Sequence, residues 1–157
     1  MTQDLLRQTL DAYASGLDAE LALLRQLQKL ARQQQEATLV NDVDALHRIA
    51  DERERTMSAL VAIEHEIKPI RQMVSANQRD CSAIEGYADV IALHRAASHL
   101  VSTILSADGQ TIDALREAEQ ARRFAVQAIE SGKSTLAAYR RVIAPPITNA
   151  SLLDRRG

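Results

Sequence analysis

Between Thr2 and Val142 the chain carries one proline, Pro69, and four isolated glycines, Gly16, Gly86, Gly109 and Gly132. Inside a helix a proline costs about 3 kcal/mol and a glycine about 1 kcal/mol relative to alanine, so a span this poor in both favours long helices. Apolar residues recur through it at steps of three and four, the spacing that gathers side chains on one helix face. The expected fold class is all-α. The predicted architecture is an elongated antiparallel bundle of three long helices (about 3–38, 42–75 and 82–131), with a short C-terminal helical segment and a mobile tail. The expected domain runs over 1–143, followed by a flexible tail over 144–157.

The first helix is predicted to start near Thr2. Leu10, Leu17, Leu24 and Ala31 are spaced by seven, with Leu6, Tyr13, Leu21 and Leu27 between them, which makes a heptad-like seam. Asn41-Asp42 is the first break, since either side chain can accept hydrogen bonds from the free amides of a new helix. The second helix carries Leu46, Ile49, Arg53, Met57, Leu60, Ile63, Ile67, Ile70 and Val74 on one stripe. Pro69 lies inside it, removing one backbone hydrogen bond and bending the last turns.

Residues 75–82 read as a loop. Ser82 and Glu85 have capping-box spacing and are predicted to open the third helix. Ile84, Tyr87, Ile91, Val101 and Leu105 line its expected face. Leu105, Asp108, Ile112 and Leu115 keep the rhythm across Gly109, so the helix is expected to continue there with at most a kink. Gly132 is expected to break it before a short segment containing Leu136, Tyr139, Val142 and Ile143. Pro145-Pro146 ends the helical pattern, yet the tail beyond still carries Ile147, Leu152 and Leu153.

Aromatic residues are only 3% of the chain, so Leu, Ile, Val and Ala must fill the core. No aromatic platform for base stacking is expected. The 19 basic and 21 acidic residues give a net charge of -2. The segments 1–41, 42–80 and 81–144 each lack the basic excess that phosphate backbones require, so no nucleic-acid partner is expected. One cysteine, Cys81, excludes an internal disulfide and fits a reducing compartment. Met1 to Leu10 carries Asp4 and Arg7 and has no continuous apolar core. It reads as neither a signal peptide nor a span, so a cytoplasmic location without stable membrane insertion is expected.

Catalytic and metal chemistry find no residues to stand on. Di-metal bundles need paired Glu-x-x-His motifs, and the nearest spacing here is Asp44–His47. His94 (HRAASHL) and His47 (HRIAD) lack the lysine and glycine that follow a phosphorelay histidine. Cys81 reads as an inert thiol in a loop. No catalytic residue, metal or cofactor is expected, and the chain does not read as an enzyme. Long aromatic-poor amphipathic helices offer faces rather than pockets, which points to binding another chain.

The stretch from Leu39 to Glu64, LVNDVDALHRIADERERTMSALVAIE, resembles the FlgN-type flagellar export chaperones. The likeness lies in a long first helix, a break like Asn41-Asp42, and a leucine-bearing helix with a charge run like Asp51, Glu52, Arg53 and Glu54. The end is similar too, with a helix closing near Tyr139 and a terminal Asp154-Arg155-Arg156. The resemblance implies a cytoplasmic chaperone, monomer or weak dimer, that binds the amphipathic terminal helices of hook-filament junction proteins (hook-associated proteins). It would prevent their premature assembly and deliver them to the flagellar type III export apparatus. The expected partner-binding residues are Leu136, Tyr139, Val142, Ile143, Ile147, Leu152 and Leu153. The alternative is that residues 136–143 only close the core and the tail takes no part. The competing functions are a FliT-type filament-cap chaperone and a self-assembling helical scaffold.

Overall fold

The computed structural model describes the backbone of residues 2–145 and the side chains of residues 2–142. Four helices follow one another: α1 (Gln3–Leu39), α2 (Val43–Ala76), the one-turn α3 (Gln78–Cys81) and α4 (Tyr87–Pro145). No strand occurs among the described residues. The chain divides into two units, Met1–Asp113 and Ala114–Gly157.

The starts of α1 and α2 are each marked by a residue type that can satisfy the free amides. The Thr2 hydroxyl accepts from the Leu5 amide at 3.3 Å, and the Asp42 carboxylate accepts from the Ala45 amide at 3.1 Å. Between α1 and α2 the chain reverses through Asn41, whose φ of 54° lies in the left-handed region that asparagine tolerates. α2 therefore returns antiparallel to α1. Leu17 packs in one cluster with Ile67, and Leu30 and Ala37 in another with Ile49. The start of α4 runs alongside α1 in the same direction. Val90 joins Leu10 and Tyr13, while Ala97 and Ile104 join Leu24, Leu27 and Ala31.

The eight seam residues of α1 are all buried, from Leu17 at 1% exposed to Tyr13 at 5%. A fully buried leucine contributes roughly 2 kcal/mol by removal from water, so this seam supplies much of the drive to fold. One charged residue sits among the apolar ones of α2. Arg53 donates through both terminal nitrogens to the Asp108 carboxylate of α4, at 2.8 and 2.7 Å, and to the Gln34 side-chain oxygen of α1 at 2.6 Å. The three helices are thereby pinned at one level.

Gly16 marks the closest approach of α1 to α2. A β-carbon there would lie 2.6 Å from Cγ1 and 2.7 Å from Cδ1 of Ile67, which is 2% exposed. Helix propensity alone favours Gly16→Ala by about 1 kcal/mol. The β-branched Ile67 has little rotamer freedom to retreat, and overpacking costs typically 1–3 kcal/mol. Gly16→Ala is expected to destabilise the fold in urea titration, and Ile67→Ala in the same chain should turn Gly16→Ala neutral or stabilising. Stabilisation by Gly16→Ala alone would show that the helices separate freely here.

Several expectations need correction. Residues 75–82 are mostly helical: α2 runs to Ala76 and α3 follows. Cys81 is the last residue of α3, fully buried in the core rather than in a loop, and burial pushes its thiol pKa up. Ser82 and Glu85 do not open the next helix. The Ser82 hydroxyl donates back to the Arg79 carbonyl at 2.7 Å, closing α3, and the chain turns at Gly86 with φ of 94°. That turn lets Ile84 enter the core before α4 begins at Tyr87. It also resets the helix phase: Val90, Ala97 and Ile104 are buried, whereas Val101 and Leu105 face out. On α2, Met57 likewise faces out.

α4 does not stop near 131. It runs through both Gly109 and Gly132 to Pro145, so there is no separate short segment at 136–143. An isolated glycine lowers helix propensity, but it ends a helix only where the backbone takes up the left-handed conformation. Among the described glycines only Gly86 has positive φ. The expected tail over 144–157 lies outside the residues with described side chains.

Candidate functional site

The first unit contains one cluster of interacting titratable groups. Arg71 of α2 forms a two-pronged ion pair with Glu64 two turns earlier, donates to the Tyr13 hydroxyl at 3.2 Å, and lies 3.9 Å from Glu20. The Glu20 side chain is only 8% exposed, and its Oε1 has no hydrogen-bond partner among the described residues. Burial pushes the Glu20 carboxyl up to about 7, with the neighbouring Glu64 adding to the rise and Arg71 opposing it. The Arg71 hydrogen bonds hold Glu64 down at about 2, helped by a hydrogen bond with Glu20. A groove of ≈ 420 Å³ opens beside these groups, with Leu17, Leu60, His94 and Val101 among its walls. It contains no nucleophile paired with a base, and the cluster ties α1 to α2.

The signs set a pH dependence. Glu20 keeps a proton in the folded chain that the unfolded chain loses above about 4.5, so its contribution falls as pH rises from there through about 7. Glu64 works the other way, contributing above 4.5 and losing that contribution as pH falls toward 2. Together they favour the fold most near pH 4.5. Glu20→Gln keeps the shape and removes the charge. It is expected to raise stability at about pH 8 by on the order of 2 kcal/mol and to change little near pH 4.5. Urea unfolding at the two pH values checks this, and a loss of stability at the higher pH would contradict it.

The second unit is different in kind. From Leu115 to Leu136 every residue is exposed, including Phe124 at 75%, Ile129 at 68% and Leu136 at 69%. At about 100° per residue, α4 places these on one arc with Tyr139 and Val142, which are 62% and 73% exposed. The arc has a shape. Phe124 and Val142 form one rim, and Ile129 and Leu136 form the other. Ala121, Ala125, Ala128 and Gly132 run between the rims. Small residues flanked by large ones leave a shallow trough along the helix over 121–132, which Tyr139 closes at its far end. Five large apolar side chains on one face, without cover among the described residues, mark an interaction surface.

Its register has a precedent in the same helix. Val90, Ala97, Ile104 and Thr111, buried in the first unit, are spaced by seven. Continuing the count gives Ala118, Ala125, Gly132 and Tyr139, and the parallel series from Leu93 and Leu100 gives Ala121, Ala128, Thr135 and Val142. A heptad series of this kind is what a helix presents to another helix.

Charge is divided as well. Residues 114–157 hold eight basic and four acidic side chains, against eleven and seventeen in 1–113. Arg122, Lys133 and Arg140 fall along the edge of the arc beside Ile129 and Leu136, and all three are exposed. Among the described residues they make no ion pair, whereas Arg123 pairs with Glu119 at 2.9 Å away from the arc.

Of the sequence-predicted site residues, Leu136, Tyr139 and Val142 lie together on this arc and are not in a core cluster. Ile143 is in α4 with its side chain outside the described set, and Ile147, Leu152 and Leu153 lie outside the described residues. Phe124, Ile129 and the alanines between them were missed by sequence reasoning. The signal was the steps of four, seven, four and three that join Phe124, Ala128, Thr135, Tyr139 and Val142 without a charge.

Among the described residues no group of three or more His, Cys, Asp or Glu side chains is placed to hold a metal ion. By length and composition α4 is apolar enough to cross a membrane, a test that buried core helices also pass, although only 11% of its apolar window is buried here. The fold and the arc define an all-helical bundle with an uncovered apolar helix face. The chain matches no family model, no curated protein and no solved structure.

Proposed function

We propose that this protein is a cytoplasmic flagellar export chaperone of the FlgN type, not an enzyme, and that the arc of α4 from Phe124 to Val142 receives the client. The client would be the amphipathic terminal helix of a hook-filament junction protein, held soluble until delivery to the export apparatus. One observation carries the reading: five large apolar side chains are exposed on one helical arc, with Tyr139 and Val142 on the heptad series that α4 uses for packing in the first unit and Phe124, Ile129 and Leu136 flanking it. Burying each in a partner helix is worth roughly 1.5–3 kcal/mol, enough to offset the ordering of a client segment. The resemblance of Leu39–Glu64 supports the choice of client class.

Two measurements test it. Co-purification from the native cell should recover a hook-filament junction protein; recovery of the filament cap protein instead would move the chain to the FliT type. A chain shortened to residues 1–139 should bind the recovered client more weakly by roughly tenfold, because Val142 and the positions beyond are lost. A defined homo-oligomer that binds no client would favour a helical scaffold and remove the chaperone reading.

A further inference from the structure

We infer that the arc selects a helix whose own edge is acidic, with Arg122, Lys133 and Arg140 as the specificity-determining residues. The inference rests on the reading that a client helix docks on the arc, and it adds which helix is accepted. Arg122, Lys133 and Arg140 stand at intervals of eleven and seven on one border of the trough. The opposite border, near Phe124 and Val142, carries no basic residue. A helix lying in the trough brings its flanking positions within reach of that border, as the flanking charges of a coiled coil set partner choice.

The alternatives fit less well. In an antiparallel pair of two copies, like edges face each other, so the three cations would meet their own counterparts. A membrane surface attracts basic amphipathic helices, but it rewards bulky residues along the middle of the apolar face. Here Ala121, Ala125, Ala128 and Gly132 occupy the middle, with Tyr139 the one bulky residue on that line, and what the four small residues provide is close approach for another backbone.

The test uses the full chain and two synthetic peptides of about four heptads with leucine at a and d, one bearing glutamate and the other lysine at the flanking positions. Fluorescence anisotropy should show the glutamate peptide binding about tenfold or more tighter at low salt. That preference should collapse at about 0.5 M salt and in the Arg122→Gln, Lys133→Gln, Arg140→Gln chain. All three positions are exposed, so circular dichroism of the variant should match the parent. Equal binding of both peptides would overturn charge selection and leave the docking reading standing. If neither peptide binds and the co-purified client binds a Phe124→Ser, Leu136→Ser chain undiminished, the arc is not the docking site and both fall. Binding to phosphatidylserine vesicles with no preference between peptides would overturn the inference in favour of a lipid surface. Dimerisation through the arc in light scattering, competing with the peptides, would overturn it in favour of a second copy.

Discussion

The Phe124→Ser, Leu136→Ser chain is expected to lose client binding by roughly a hundredfold or more while its thermal midpoint stays where it was. The two side chains are 75% and 69% exposed, so the folded chain gains little from them. In a complex each would be buried, at roughly 1.5–3 kcal/mol apiece, and both together span two to four decades of affinity. Leu105→Ser is the matched control. Leu105 is 65% exposed and apolar, but it lies in the first unit and on a different face of α4 from the arc. It should leave affinity unchanged. Equal losses at Leu105 and at the arc would mean that general stickiness, rather than a shaped surface, holds the client.

The opposite behaviour is expected in the core. Leu17→Ala removes a side chain that is 1% exposed, where α1 meets Ile67 of α2 and the close approach at Gly16 leaves little room for collapse into the cavity. Such truncations cost about 2–5 kcal/mol. Against a total stability of about 5–15 kcal/mol, that is a large share. The thermal midpoint should drop by on the order of 10 °C. A drop of only a degree or two would show that the seam relaxes around the gap and that packing along α1 is loose.

The sequence made the fold legible where periodicity and caps agree. α1 is the clearest case: its seven-residue series is apolar without exception, and all eight predicted seam residues are buried. Thr2 and Asp42 are both at helix starts, and the Asp42 side chain accepts the hydrogen bond expected of a cap. The start of α4 was illegible for a physical reason. The capping-box spacing of Ser82 and Glu85 is a local signal, and the need to bury Ile84 and turn at Gly86 overrode it. Counting the helix phase from Ile84 then pointed to Val101 and Leu105 instead of Ala97 and Ile104.

The site was half legible. Leu136, Tyr139 and Val142 stand out as apolar residues late in the chain, but a break expected at Gly132 detached them from Phe124 and Ile129. Once α4 is continuous, the arc assembles from both sides of the glycine. The basic edge was hidden by where the segments were cut. Residues 81–144 balance seven basic against seven acidic side chains, because Glu85, Asp89, Asp108 and Asp113 offset the cations that follow Ala114. Dividing the chain at Asp113 separates them.

Hydrogen exchange of the full chain, alone and with the co-purified client, tests the central claim most directly. Packing against other helices protects backbone amides, and a helix whose face has no partner opens easily. The free chain should therefore exchange quickly over 114–142 and slowly over Leu17 to Leu27, with client slowing exchange over 114–142 by roughly a hundredfold. Slow exchange over 114–142 in the free monomer, or no change there when client is bound, would contradict the account.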